Sequence, residues 1–422
     1  MSETSSLSAP TSAAAPSRRQ HVYDDGLWSM QIEVPYPKAI RCGEMIFTCG
    51  QCDLDAAGKP NHPGDLLRQT ERTMALAYEV VARAGAAPGD MAHLHVFYAS
   101  DGGTDEDAYL RHLAEAVRRA GGGRPVVTAT PISYFYYPGM MVEVDAIAMA
   151  GHGARPRVEA NDRPAWLPAP FSPALRAGET IWVGALLPRA PDGAVIAAGQ
   201  AGKQTEHLLD QLAERLAAFG ADLADVVKLH TVYAAAPGAW AEIAHARAGR
   251  FDDPATAPAA VDVPVPHLSP AGIAVRMEAI AVRGLDGRRA KRVALNAPGA
   301  GRPPVAWPFP GAIKCADKLF IGAQWPFGAD GQVLAPDDGE AQTRQAMNTM
   351  GDLLALAGMG FRHVVKATTH YRGGPTPEDL HANMGVRNRY YTRPGPASTG
   401  IPLPSFEARG QTLVLDAFAM AD

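Results

Sequence analysis

Val142-Glu-Val-Asp-Ala-Ile-Ala148 recurs twice in this chain, as Val275-Arg-Met-Glu-Ala-Ile-Ala281 and as Leu413-Val-Leu-Asp-Ala-Phe-Ala419. Each copy is short and rich in residues that favour extended structure, so each predicts a β-strand. A strand that returns at nearly constant spacing indicates an internal repeat. Such a repeat defines the architecture before any single motif is interpreted.

A second landmark recurs with the same spacing. The dipeptide Gln-Thr begins at Gln69, Gln204 and Gln342, which are 135 and 138 residues apart. The repeat is therefore about 120 residues long without its linkers, which is a usual size for one domain. We expect a disordered tail at 1–30, followed by three tandem domains at 31–150, 163–284 and 302–422.

Each repeat has the same order of elements: a strand, a helix, a strand, a helix and two closing strands. In the first copy a helix is expected to begin near Gln69-Thr70, and Met74, Ala77 and Val81 mark its buried face. This order predicts an α+β fold with two helices on one face of a mixed sheet. The sheets of the other repeats would cover the second face, so we expect a single-chain pseudo-trimer joined by polar linkers near 151–162 and 286–301.

The composition restricts the class of partner. The chain has 422 residues, 47% of them hydrophobic, a formal net charge of -5 and a pI near 6.2. An acidic chain without a long basic run argues against nucleic acid, and no segment is apolar enough to span a membrane. The first 20 residues are rich in Ser, Ala and Pro and lack a signal-peptide core, so we expect a cytoplasmic protein that acts on small molecules.

Four cysteines are present, and Cys49 and Cys52 have CxxC spacing. The spacing occurs in redox and zinc sites, but no second CxxC or nearby His pair completes a metal set. The motif also ends a strand instead of opening a helix, so nothing there lowers a thiol pKa. Structural or substrate-lining cysteines are the preferred interpretation over redox or metal cysteines, and we expect neither a metal nor a cofactor.

These features together resemble the RidA/YjgF family of imine and enamine deaminases. The resemblance rests on the segments 43–51 and 225–233, on the Gln-Thr helix start and on the closing strand. It implies chorismate-mutase-like domains and a ligand cleft at each interface of a trimer. The chain would then resemble a fused trimer whose three clefts differ, with trimer-like packing inside one polypeptide and room for further self-association.

One expected feature of the family is missing. The family's deaminases carry an Arg in a Pro-Ala-Arg-Thr type strand, where a guanidinium fork holds a substrate carboxylate. The matching runs here are 125–128, 258–261 and 396–399, and none has Arg at the third place. Arg124 stands just before the first run and is a candidate to replace it.

The remaining polar groups of the family site are concentrated in the first repeat. Glu143 matches the family's acidic residue in the last strand, whereas the other copies have Arg276 and Val414. Glu143 is our candidate for an acid, a base or a water activator, although on an ordinary strand it would simply face outward. Tyr36 and Cys49 are candidate substrate-binding residues beside it.

Other candidates depend on less specific signals. The loop 133–141 is strongly aromatic in the first repeat, which suits either a pocket or packing between repeats, and Tyr134 is our candidate within it. Arg276 replaces an acid and is expected to pair with Glu143, with a ligand carboxylate or in a structural ion pair. Asn383 and Arg387 share one helix face, and solvent exposure is the preferred interpretation.

Two further positions repeat in mid-sheet strands. His95 and His230 are equivalent, with Thr368 in the third copy, and are interpreted as hydrogen-bonded core residues rather than bases. An acid recurs in every closing strand, so we assign it to the shared fold. Three such acids brought together would repel unless hydrogen-bonded or bound to a cation. They are Asp145, Glu278 and Asp416.

Three functions remain compatible with the sequence. The first is hydrolysis of a small imine, an enamine or a related C–N substrate in a cleft between repeats. The second is binding of a small molecule without catalysis, which the missing Arg favours. The third is hydrolysis of a cyclic carboxylate, since the chorismatases also resemble this chain in joining RidA-like units. A ribonuclease role fits poorly, because the chain lacks a basic, aromatic-lined groove.

Overall fold

A computed structural model describes residues 19–23, 32–151, 158–160 and 163–421. Within these residues the chain forms three six-stranded sheets, and each sheet is accompanied by two long helices. The fold is α+β and consists of three domains with the same arrangement of elements, as the repeats predict.

The first sheet belongs to the first repeat. Its strands have the spatial order β1-β2-β3-β6-β4-β5. The elements of the first repeat are β1 (Arg19–Val22), β2 (Ala39–Cys42), β3 (Met45–Thr48), α1 (Leu66–Arg83), β4 (Met91–Ala99), α2 (Glu106–Ala120), β5 (Val126–Ile132) and β6 (Val142–Met149).

The second repeat has the same arrangement, with the order β7-β8-β9-β12-β10-β11. Its elements are β7 (Val158–Glu159), β8 (Ala174–Ala177), β9 (Thr180–Leu186), α3 (Ala201–Ala217), β10 (Val226–Ala234), α4 (Ala239–Ala248), β11 (Ala259–Val265) and β12 (Val275–Val282).

The third repeat repeats the order once more, as β13-β14-β15-β18-β16-β17. Its elements are β13 (Arg292–Leu295), β14 (Ala312–Cys315), β15 (Lys318–Gln324), α5 (Gly339–Leu356), β16 (Val364–Arg372), α6 (Glu378–Arg387), β17 (Ala397–Leu403) and β18 (Leu413–Met420).

The edge strands correct the expected tail and linkers. The sequence indicates a disordered tail through residue 30, yet β1 pairs antiparallel with β2, with Arg19 opposite Cys42 and Val22 opposite Ala39. The two predicted linkers likewise contain β7 and β13, which pair with β8 and β14. These strands are short, and pairing along a sheet edge satisfies their backbone groups without a strong apolar pattern. The rest of the expected tail lies outside the described residues.

The recurring Gln-Thr pair also has a different role from the one expected. The first helix begins earlier, where the side chain of Asp65 accepts a hydrogen bond from the backbone N–H of Arg68. Gln69 lies inside the first turns, and its Nε2 donates to the backbone oxygens of His62 and Gly139 at 2.6 and 2.7 Å. The buried amide thus ties two loops to the helix. Gln204 and Gln342 do the same in their repeats.

The three repeats contact one another in cyclic order. Strand β5 lies against β9, β11 lies against β15, and β17 lies against β3. The fifth strand of each repeat therefore packs on the third strand of the next repeat, and the last repeat returns to the first. These contacts create three clefts between repeats and a cavity in the middle that is lined by residues from all three.

No helix in the part of the chain described here is both long enough and apolar enough to cross a bilayer.

Candidate functional site

The cleft between the first and third repeats holds a polar cavity of about 100 Å³. Strand β6 and the segment before β2 form one wall, and helix α6 with strand β17 forms the other. Both walls contribute side chains capable of proton transfer or anion binding. The cavity is lined by Tyr36, Lys38, Tyr136, Glu143, Arg387 and Ser398.

Glu143 lies on the cavity side of β6 and is only 2% exposed. The hydroxyl of Tyr136 donates a hydrogen bond to its Oε2 at 3.2 Å. The other carboxylate oxygen rests against Gly50, where an added Cβ would lie 1.7 Å from Oε1. The equivalent residues in the other repeats are Ala185 and Ala323, so this position lacks a Cβ only where a glutamate fills the space.

Burial changes the proton affinity of Glu143. The loss of solvent and the nearby charge of Asp145 raise its pKa to about 8, against partial compensation from Lys366 and Tyr136. Glu143 is therefore largely protonated at neutral pH. A carboxyl group with a pKa close to the working pH can donate a proton and take one back in a later step.

Arg387 is one of the two basic residues that line the same cavity, the other being Lys38. Its side chain, 1% exposed, donates from Nε to Asn383 Oδ1 at 2.7 Å and from an Nη to Ser398 Oγ at 2.9 Å. The guanidinium lies over the ring of Tyr36, with 5.9 Å between its carbon and the ring centroid. Among the described residues no carboxylate forms an ion pair with Arg387. A buried cation held only by neutral partners favours an anionic ligand.

The cleft between the first and second repeats contains a buried ion pair. Arg276 occupies the position of Glu143, and its Nη2 lies 3.0 and 3.1 Å from the two carboxylate oxygens of Glu106. It also donates to the backbone oxygen of Ala129. Tyr98 donates to Glu106 at 2.6 Å. The buried charges in this cleft therefore neutralise each other and leave no demand for a ligand.

The cleft between the second and third repeats contains a second buried ion pair, and aromatic rings pack against its arginine. Arg247 donates to the two oxygens of Asp262 at 2.5 and 2.6 Å. Its guanidinium carbon lies 5.4 Å from the ring of Trp307 and 5.0 Å from the ring of Phe309. Val414, at the position of Glu143, is fully buried. Among the described residues, the buried acid and the buried arginine of this cleft are thus paired with each other, and no carboxylate stands at the position of Glu143.

Two predicted site residues lie together, and two do not. Glu143 and Tyr36 line one cavity, which the sequence-based hypothesis requires. Arg124 is exposed and precedes β5, which faces the second repeat, so it cannot replace the family arginine beside Glu143. Arg276 pairs with Glu106 and not with Glu143, because the closing strand of each repeat faces a different neighbour.

The aromatic loop and the cysteines need a similar correction. Tyr134 is partly exposed and donates to the backbone oxygen of Gly373 at 2.8 Å, whereas Tyr136 enters the cavity. Cys49 is buried under the sheet, where Gln51 Nε2 donates to its sulfur at 3.1 Å. Its neighbour Cys52 lies closer to the site, 3.9 Å from the Tyr136 hydroxyl. Burial raises the pKa of both thiols, so both stay protonated.

Sequence reasoning missed Arg387, which it placed in solvent. The helix spacing correctly put Asn383 and Arg387 on one face, but that face is buried against β17. A usable signal was present: Ser398 stands where the family has its strand arginine, and a small residue there leaves space for a long side chain from the helix.

The comparisons agree with this architecture. The family model described as Endoribonuclease L-PSP matches residues 29–150 and again residues 163–283, which together exceed half of the chain. The chain belongs to the RidA/YjgF family. The match covers the first two repeats of this family member, and the third repeat has the same strand order.

Solved structures with the same fold include a chorismatase, which is 14% identical over 79% of this chain and 94% of its own, with a TM-score of 0.52. At this identity the likeness concerns the fold alone. Shorter matches include yeast Mmf1 (25% identity, 30% of this chain and 98% of its own, TM-score 0.27). RidA from an Antarctic Psychrobacter is 16% identical over 31% of this chain and 99% of its own, with a TM-score of 0.27. No curated protein sequence matches the chain.

Proposed function

We propose that this protein processes a small anionic molecule in the cavity between the first and third repeats, by hydrolysing the C–N bond of an imine or enamine. One observation carries the proposal. The buried guanidinium of Arg387 has no carboxylate partner among the described residues and lines the same cavity as the protonated Glu143.

Arg387 supplies the carboxylate site that the strand sequences lack. It comes from helix α6 instead of the fifth strand, and its hydrogen bonds to Asn383 and Ser398 fix the guanidinium. The remaining N–H groups are available for a substrate carboxylate. Arginine binds carboxylates through a rigid planar fork, so this contact would orient the substrate as well as hold it.

Glu143 moves the protons of the reaction. Its carboxyl group donates a proton to the imine nitrogen, and the resulting carboxylate takes a proton from the water that attacks the imine carbon. The carbinolamine formed in this way has a new C–O bond. Glu143 then donates this proton to the nitrogen and takes up the hydroxyl proton as the C–N bond breaks, which releases ammonia, leaves a carbonyl product and returns Glu143 to its protonated form. General acid–base catalysis of this kind contributes about 10²- to 10⁴-fold in rate.

The cavity wall also supports a second candidate. Tyr36 and Tyr136 present aromatic surface beside Glu143, which suits a ring-shaped carboxylate as well as an aliphatic one. Hydrolysis of a cyclic carboxylate would use the same Arg387 contact and the same proton on Glu143. A binder without turnover would use Arg387 alone. A ribonuclease role gains no support from a chain with a formal net charge of -5.

Ammonia release from freshly generated 2-imino acids, both aliphatic and aromatic, tests the proposal. The wild type should accelerate release, and Glu143→Gln should reduce the acceleration about 10²- to 10⁴-fold while its far-UV circular dichroism stays unchanged. Tyr134→Phe, in the same loop but outside the cavity, serves as the matched control and should keep wild-type turnover.

The assay separates the three candidates. Equal release by the wild type and Glu143→Gln contradicts the assignment of Glu143. No release from any imine, together with binding of a carboxylate that Arg387→Met abolishes, leaves the binder or the cyclic-carboxylate hydrolase.

A further inference from the structure

A second polar cavity, also of about 100 Å³, lies where the three sheets meet. We call it the central cavity. It is separate from the cavity of Glu143 and Arg387, and it contains the recurring acids of the three closing strands. Its polar lining residues are His93, His95, Asp145, Lys228, His230, Glu278, Lys366, Thr368, His370 and Asp416.

Two of the three recurring acids are neutralised by lysine. Asp145 Oδ1 lies 2.8 Å from Lys366 Nζ, and Asp416 pairs with Lys228. The equivalent partner of Glu278 is not lysine but His93, whose Nε2 lies 3.0 Å from Glu278 Oε2. The third acid therefore lacks a permanent cation, and the feature expected to serve the shared fold differs in the second repeat.

The free oxygen of Glu278 faces two further imidazoles. Glu278 Oε1 lies 3.8 Å from His95 Nδ1 and 3.6 Å from His230 Nδ1. One donor atom from each of these three residues lies within 4.8 Å of the other two. We propose that His95, His230 and Glu278 bind a divalent transition-metal ion between the first and second repeats. The proposal replaces the expectation, drawn from the sequence, that the chain binds no metal.

The unsatisfied atoms of the cavity point to the same conclusion. His230 is 9% exposed, and its Nδ1 is buried without a hydrogen-bond partner. His370, 1% exposed, has both ring nitrogens buried without partners, and its ring lies 6.1 Å from that of His230. Buried polar atoms in native structures are normally satisfied, so imidazole nitrogens without partners that face a cavity favour a ligand there. The observation on His370 is independent of the clustering of donors, because His370 is not one of the three ligands.

Neighbouring hydroxyl and imidazole groups orient two of the three ligands, His95 and Glu278. His95 Nε2 lies 3.0 Å from Thr130 Oγ1, which leaves Nδ1 directed toward Glu278. The second oxygen of Glu278 is held by His93 and by the Thr128 hydroxyl. Metal-binding histidines and carboxylates are commonly fixed through their second polar atom in this way, which lowers the cost of assembling the site.

The protonation states also suit metal binding. Burial lowers the pKa of His95 well below its usual value and lowers that of His230, so both rings are neutral at neutral pH. Burial raises the pKa of the Glu278 carboxyl, but its imidazole neighbours, led by the hydrogen-bonded His93, outweigh that effect and hold the pKa well below its usual value. The site thus offers imidazole nitrogens and a carboxylate as ligands.

The donor set defines the class of ion. Two imidazole nitrogens and one carboxylate suit zinc and other first-row divalent ions, whereas magnesium and calcium prefer oxygen ligands only. Three protein ligands leave at least one position for water, and the cavity supplies space for it. Since His95 belongs to the first repeat and the other two ligands to the second, a bound ion would also fasten these repeats together.

Calorimetric titration of ZnCl₂ into the chelator-treated full chain tests the proposal, with metal analysis of the dialysed complex. We expect one ion per chain and a stabilised protein in thermal unfolding. His230→Gln should weaken binding by at least about tenfold, since removal of even an outer-shell partner typically costs that much. Thr368→Ser, at the equivalent position of the third repeat, is the matched control, and His207→Gln on α3 controls for surface histidines. Both should bind zinc like the wild type.

A spectroscopic measurement on the wild type keeps the test independent of mutant folding. Cobalt(II) bound in place of zinc should show the intense visible absorption of a low-coordinate site with nitrogen and oxygen ligands, and zinc should displace it. The proposal is overturned if the wild type binds no zinc, if cobalt remains octahedral and weakly absorbing, or if folded His230→Gln binds zinc as tightly as Thr368→Ser.

Discussion

Glu143 and Arg276 occupy the same position in two repeats, and the clefts around them differ in how charge is balanced. Around Arg276 the cation meets Glu106 at 3.0 Å, so the cleft contains both members of an ion pair. Around Glu143 the acid is held neutral by burial, and the buried arginine of that cleft, Arg387, has only neutral partners among the described residues. The charge of Arg276 is thus balanced within the protein. Arg387 has no such partner among the described residues, so its cleft favours binding of an anion.

The comparison extends to the residues that support each position. The carboxylate of Glu143 fills the space that a Cβ would take at Gly50, while Ala185 and Ala323 stand at the equivalent positions. The third cleft follows the pattern of the second, since Arg247 has its own carboxylate in Asp262. One cleft therefore contains a buried acid and an arginine without a carboxylate partner among the described residues, whereas the buried arginines of the other two clefts are paired internally.

Replacing Arg276 or Arg387 by methionine should give the largest difference in stability between the two clefts. Arg276→Met leaves Glu106 buried without its partner, so we expect a loss of about 3–5 kcal/mol in the free energy of unfolding. Arg387→Met removes a cation that has no carboxylate, and we expect a change within about 1 kcal/mol. Denaturant titration of both variants measures the difference. Similar losses in the two variants would contradict the view that only one cleft is internally neutralised.

The pH dependence of stability should reveal the proton on Glu143. The pKa of this carboxyl is about 8 in the folded protein and near 4.5 when unfolded. The native state holds a proton that the unfolded chain has released, so Glu143 makes stability fall as pH rises from about 5 to about 8. Each pH unit in that window costs about 1.4 kcal/mol at most.

Glu143→Gln removes this contribution. The stability of the wild type relative to the variant should therefore decline across that window and level off above it, as measured by denaturation at several pH values. A constant difference across the window would mean that Glu143 titrates normally and is not buried as a neutral acid.

Gly50→Ala tests the close contact with the carboxylate. The added methyl must displace the carboxylate of Glu143, and misplacement of a catalytic group by about 1 Å can cost up to about 10²-fold in rate. We expect at least a tenfold loss of ammonia release with a folded protein. Ala185→Gly is the matched change in the cleft between the first and second repeats and should leave turnover unaltered. Wild-type turnover in Gly50→Ala would show that the contact does not position the acid.

Variants of two of the three tyrosines in the aromatic loop, Tyr134 and Tyr136, should distinguish a packing role from a role in the reaction. Tyr134→Phe loses one partly exposed hydrogen bond to Gly373, so we expect about 0.5–1.5 kcal/mol of destabilisation without a change in the pH profile of turnover. Tyr136→Phe removes the hydroxyl that donates to Glu143 and should shift that profile to higher pH, because the donor stabilises the charged carboxylate. Identical profiles would place both tyrosines outside the chemistry.

The fold could be predicted well from the sequence because the same pattern of strands and helices recurs in three copies. The apolar spacing of α1, including Met74 and Val81, and the closing strands correspond to buried faces in the structure. The edge strands β1, β7 and β13 escaped prediction because their stability comes from pairing and not from an apolar pattern. Gln69 was assigned to a helix start because its role, joining two loops through a buried amide, depends on tertiary contacts.

Only some residues of the candidate site could be predicted from the sequence, and the reason is geometric. Glu143 and Tyr36 could be found because they lie at positions shared between repeats. Arg124 was misplaced, and of the three alternatives for Arg276 the structure shows the structural ion pair. Each repeat turns its fifth and closing strands toward different neighbours, and a linear alignment does not show which pair of repeats forms a cleft. Arg387 was missed because a charged residue on a helix usually faces water, and its burial depends on the third repeat packing against the first.

Calorimetric titration of pyruvate, the 2-oxo acid left by hydrolysis of the simplest 2-imino acid with a side chain, tests the central claim most directly. The account predicts one binding site per chain, lost in Arg387→Met and retained in folded Arg247→Met and Arg276→Met. Binding at three sites per chain, or binding that Arg387→Met leaves unchanged, would contradict the claim that the cleft between the first and third repeats alone is open to an anion.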